Sequence, residues 1–87
     1  MWRRVSRHRP PAVDHDQARI RESVDWAITA AGKEAIAGRP ARVTVADVQQ
    51  RARNDFRMEI TEATAREALQ GRLRLRGTLG LTTDAWD

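Results

Sequence analysis

From Asp14 to Ala37 the apolar positions recur with a helical period. At 100° per residue, Ile20, Val24, Ala27, Ile28, Ala31 and Ala35 fall in one stripe about 100° wide, which predicts an amphipathic helix with that face turned to a core. Asp14 suits the N-cap, with Gln17 three residues on, and Gly38 followed by Pro40 is a stop signal. Trp26 falls outside the stripe, on a face shared with Ala30 and Lys33. Two readings of it stay open: cover by one of the chain ends, where Trp2 and Trp86 lie, or contact with a second copy of the chain.

Arg42-Val43-Thr44 has the composition of a very short strand. Thr44 and Asp47 then form a variant of the capping box, which opens a second helix over about Val45 to Asp55. Val45, Val48, Ala52 and Phe56 share one face of it, and Met58 and Ile60 in the following link are expected to be buried. Thr61 caps a third helix, with Glu62 placed at its positive end. Ala65, Ala68 and Leu69 face the core. Continued further, this helix would put Arg72 in the apolar stripe, so Gly71 is taken as its C′ residue.

Arg72-Leu73-Arg74-Leu75-Arg76 alternates with period two, a strand signal. A three-residue loop Gly77-Thr78-Leu79 pairs Leu75 with Leu81 and keeps one apolar and one basic face. The reading preferred is therefore a hairpin over residues 72–83; the alternative is a third helix that runs on to Arg76.

At 87 residues the chain holds one small domain, read as residues 14–87, preceded by a basic flexible arm over residues 1–13. There is no cysteine, which excludes disulfides, thiol catalysis and the common zinc and iron–sulfur sites. No apolar run approaches the roughly 18–20 residues of a membrane span, and no apolar stretch follows the arginine-rich start. A soluble, cytoplasmic protein without membrane association is expected.

The net charge of +4 is unevenly placed. Arg3, Arg4, Arg7 and Arg9 stand in the arm with no acid, and a second cluster lies at Arg72, Arg74 and Arg76. Fifteen of the sixteen basic residues are arginine, the side chain that grips phosphate with a two-pronged donor set. Codon bias accounts equally well for the arginine content, but not for its position. Basic arms of this kind lie along phosphate backbones or in minor grooves.

The order helix, short strand, helix, helix, hairpin, carried by Val43-Thr44-Val45-Ala46-Asp47-Val48, by Ile60-Thr61-Glu62-Ala63-Thr64-Ala65-Arg66-Glu67-Ala68-Leu69 and by Gly77, Leu79 and Leu81, resembles the winged helix-turn-helix superfamily. The expected fold is thus mainly α with a small β-hairpin, a three-helix winged helix-turn-helix with a basic N-terminal arm. The resemblance implies a small DNA-binding protein, a transcriptional regulator or a plasmid- or phage-type accessory factor, acting on double-stranded DNA as a homodimer. It places the third helix in the major groove, where Arg66, Glu67 and Gln70 face base edges and Thr61 and Thr64 face phosphate. Arg72, Arg74 and Arg76 become the wing's phosphate contacts and the arm arginines a second clamp. The chain departs from the pattern in a longer link between the second and third helices and in the acids Glu62 and Glu67.

Two other readings stand beside it. Residues 31–52 resemble the second half of a histone fold, although the proline-containing arm lacks the short first helix that fold requires. A protein–protein adaptor without nucleic acid is the other, since fold does not fix function. Enzyme activity is not expected, and neither a cofactor nor a metal is implied. His8 lies in the arm, and His15 between Asp14 and Asp16 projects in a different direction from both neighbours.

Overall fold

The computed structural model describes residues 11–78 and 80–87. The expectations for Trp2, Arg3, Arg4, Arg7, His8, Arg9 and Leu79 therefore lie outside the described residues. In chain order the elements are α1 (Pro11–Ile36), β1 (Arg42–Val43), α2 (Val45–Phe56), α3 (Glu62–Arg76) and β2 (Thr82–Thr83). The protein is mainly helical with one small two-stranded sheet.

α1 starts four residues earlier than a cap at Asp14 would set it. Pro11 is its first residue, a position where the fixed φ of proline fits and its missing N–H costs nothing. The helix stops where expected. Gly38 takes the left-handed conformation (φ 80°), its amide bonds to the Ala35 carbonyl at 3.0 Å and the Arg39 amide to that of Glu34 at 3.0 Å, which together close the last turn. Ile20, Val24, Ala27, Ile28 and Ala31 are all buried, as the stripe predicts, while Ala35 is exposed.

α2 opens on the full reciprocal cap: the Thr44 hydroxyl accepts from the Asp47 amide (3.0 Å) and the Asp47 carboxylate from the Thr44 amide (2.9 Å). Val45, Val48 and Ala52 are buried; Phe56, Met58 and Ile60 are only half-buried. The helix closes on Arg57, which holds a left-handed conformation (φ 54°) without being glycine. Residues 57–61 lead into α3, and two contacts fix that link. Gln49 donates to the Ile60 carbonyl (3.1 Å), and Arg53 grips Glu59 through two bonds of 2.7 and 3.1 Å.

The predicted hairpin does not form. α3 continues through Gly71 to Arg76 and ends on Gly77. Leu73 and Leu75 separate the two possibilities: a strand puts them on one face, a helix about 200° apart. Leu73 is 4% exposed and Leu75 78% exposed, the helical outcome. Ala65, Leu69 and Leu73 extend the core stripe at intervals of four. The obstacle to a longer helix, Arg72 beside the core, is removed by an ion pair with Asp25 of α1.

β2 pairs not with a neighbouring strand but with β1, in parallel, Arg42 opposite Thr82 and Val43 opposite Thr83. α2 and α3 form the connection that a parallel pair requires. There is accordingly no antiparallel wing among the described residues. Residues 80–87 instead pack across the β1–α2 corner and add Leu81 and Ala85 to the core formed by Val24, Ile28, Val43, Val48, Leu69 and Leu73.

Candidate nucleic-acid interface

α3 presents most of the residues proposed for DNA contact, and the fold commits many of them elsewhere. Thr61 is its N-cap: the hydroxyl accepts from the Thr64 amide (3.1 Å) and donates to the Thr64 hydroxyl (2.9 Å). Arg66 donates to Glu62 one turn back at 3.0 Å, and its Nε is buried without a partner. Gln70 donates to the Ala85 carbonyl at 2.7 Å, which ties the end of the chain to α3. Its amide donor is thus occupied by the fold.

The arginine cluster also changes character once it is helical. Arg72 and Arg76, one turn apart, leave the helix on the same side, and Arg74 leaves on nearly the opposite side, so the three do not form one basic face. Arg72 forks onto Asp25 through bonds of 2.9 and 3.3 Å, and Arg76 approaches the same carboxylate at 3.7 Å. Arg74 lies over the Trp86 ring, 5.0 Å from its centroid. It is exposed, as are Ala63 and Glu67 on the same ridge, at intervals of four and seven. The outward face of α3 therefore carries one arginine and one glutamate.

Other ion pairs extend this pattern. Arg19 meets Asp16 (3.9 Å), Arg39 meets Glu34 (2.7 Å) and Arg51 meets Asp55 (3.8 Å). The guanidinium of Arg39 holds the Glu34 carboxyl below the usual carboxylate range, and Arg53 does the same to Glu59. Residues 11–87 contain twelve basic and twelve acidic side chains, so their formal charge is zero. The whole excess of +4 resides in residues 1–10.

A cleft of about 300 Å³ lies between α1 and α2, with Ala27, Ala30 and Ala31 as its floor and Arg42, Gln50 and Asn54 on its rim. Its remaining charges are already spoken for: Glu34 by Arg39, Arg51 by Asp55, Asp47 by the cap. Among the described residues no group of three or more acidic or histidine side chains is arranged to hold a metal.

Sequence reasoning missed Asp25 and Asp84, and it named Trp86 only as a possible cover for Trp26, whereas Arg74 lies over its ring. Asp84 accepts from the Val45 amide (2.9 Å) at the start of α2, 39 residues away. No local pattern announces a contact at that separation. Trp26 is 47% exposed, so the described residues leave about half of it uncovered. Comparison with protein-family models, curated proteins and solved structures gives no match for this chain.

Proposed function

We propose that the protein is a small DNA-binding protein, a regulator or accessory factor, whose affinity comes mainly from the arm arginines on phosphate. The observation that carries this reading is the segregation of charge: Arg3, Arg4, Arg7 and Arg9 supply the full excess, ahead of a body with balanced charge. A sequence-independent electrostatic clamp of that kind binds duplex DNA with a strong salt dependence. The paired helices α2 and α3 support the same reading. Thr61, Thr64 and Arg74 lie on the outward side of α3 for backbone contact, and Glu67 is the remaining side chain there able to meet a base edge. Arg66, Gln70, Arg72 and Arg76, being held within the fold, have a lesser part than the resemblance implies.

Fluorescence anisotropy on a labelled duplex, titrated over a range of salt, tests the proposal. Replacement of the four arm arginines by alanine is expected to reduce the slope of log K against log salt by about 3–4, one for each lost phosphate contact. Absence of binding by the full chain at about 50 mM salt overturns it.

One observation favours a second reading, a protein–protein adaptor. The fold uses Arg66, Gln70, Arg72 and Arg76 internally and leaves Trp26, Ile36, Leu75 and Trp86 exposed. Failure of DNA binding in the titration would promote it.

A further inference from the structure

The outer face of α1, opposite its core stripe, carries Glu22, Trp26, Thr29, Lys33 and Ile36 at alternating intervals of four and three. All five are exposed, Ile36 by 88%. This 4-3 spacing is the pattern of a helix–helix seam, in which side chains of one helix seat between those of another. Along the ridge the order is acid, tryptophan, small residue, base. Among the described residues neither Glu22 nor Lys33 has an ion-pair partner, whereas Arg19, Glu34, Arg39, Arg72 and Arg76 all do.

This ridge is complementary to itself, and only in one orientation. With two copies of α1 antiparallel about a two-fold axis between Ala27 and Ile28, Glu22 of each faces Lys33 of the other. Trp26 of each then faces Thr29 of the other. A parallel arrangement would set Glu22 against Glu22 and Lys33 against Lys33. Gly32 is compatible with this arrangement, its surroundings being as open as those of Gly71 in α3. It sits in the interior of α1, where glycine costs about 1 kcal/mol relative to alanine, and a Cβ there would meet nothing within 4 Å. Beside Thr29 and Lys33 it leaves room for the Trp26 indole of a second copy.

We propose that the protein forms an antiparallel homodimer through the outer ridge of α1, with two Glu22–Lys33 pairs flanking two buried Trp26 rings. The contact is one helix wide, so its area falls at the small end of specific interfaces and its dissociation constant in the micromolar range. The proposal does not rest on DNA binding. Where both hold, the axis lies 16.5 residues from Pro11 in each copy. That puts the two helix starts about 50 Å apart at 1.5 Å per residue, a span of about 15 base pairs.

Sedimentation equilibrium of the full chain, with its charge-swap variants, tests the interface. Glu22→Lys opposes lysine to lysine in both pairs, and Lys33→Glu opposes glutamate to glutamate. Each variant alone is expected to dimerise about tenfold more weakly or worse than the wild type. An equimolar mixture of the two is expected to recover wild-type affinity, because every lysine again meets a glutamate. Both positions are exposed, and circular dichroism verifies that the helices are intact. Orientation is read separately in the cysteine-free background. With a short bis-maleimide, E22C mixed with K33C is expected to cross-link, while neither alone does. A monomeric wild type up to about 1 mM, single swaps that leave dimerisation unchanged, no recovery on mixing, or cross-linking of E22C to itself would each overturn the proposal.

Discussion

Asp25 on α1 and Arg72 on α3 are 47 residues apart and joined by a forked pair of hydrogen bonds, 2.9 and 3.3 Å long. The pair is what permits α3 to carry an arginine beside Leu69 and Leu73. Both side chains are about one-third exposed, so the coupling is modest for a two-bond ion pair. In a double-mutant cycle with Asp25→Ala and Arg72→Ala, urea unfolding is expected to give a coupling energy of about 1 kcal/mol. A coupling near zero would mean that the helix carries Arg72 without help.

Gly71 distinguishes a long third helix from a short one. In α3 it has ordinary helical geometry, and a Cβ there would meet nothing within 4 Å. Gly71→Ala is expected to stabilise the protein by about 0.5–1 kcal/mol, through better helix propensity and a less free unfolded chain. A C′ glycine with positive φ at the same position would instead make the substitution destabilising. The sign of the change in thermal midpoint decides between them.

Asp84 holds the first amide of α2 from the far end of the chain. Its carboxylate meets the positive end of the helix, so Asp84→Ala is expected to cost about 1 kcal/mol, and Asp84→Asn somewhat less. Hydrogen exchange locates the effect: the amides of the first turn of α2 should lose protection in the variant, ahead of those of α1.

The Arg53–Glu59 pair fastens the link ahead of α3 and makes a pH prediction. Arg53 lowers the folded-state pKa of Glu59, so the ionised carboxylate is favoured by folding. That contribution is complete above the unfolded-state pKa of a glutamate and is lost as pH falls through the lower folded-state value. Wild type and Glu59→Gln should therefore differ in melting temperature near neutral pH and converge at about pH 2. A difference that persists in acid would show that Glu59 acts by packing.

The helical core was legible because it rests on local signals. The stripe from Ile20 to Ala31, the Thr44–Asp47 cap and the Gly38 stop each lie within one or two turns of chain. The end of α3 was not, because residues 72–76 alternate as a strand would, while only Leu73 continues the core stripe of the helix and Leu75 is left exposed. The contact that decides between them, Asp25 with Arg72, is long-range. The site followed the same rule. Thr61, Thr64 and Glu67 stand on the outward side of α3 much as its periodicity places them, whereas Arg74, expected on a hairpin strand, joins them only because the helix runs on to Arg76. The engagement of Gln70 with Ala85, and of Arg72 and Arg76 with Asp25, depends on which elements meet in space.

The parallel pairing of β1 with β2 also bears on when this domain can form. Leu81 and Ala85 complete the core, and the Thr82 amide bonds to the Ala41 carbonyl (3.2 Å) across almost half the chain. During synthesis α1, α2 and most of α3 emerge before any of these partners exists. Until residue 85 has left the ribosome, Val43, Val48 and Leu69 lack part of their cover. The core is therefore complete only once residues 81–85 can be laid across it.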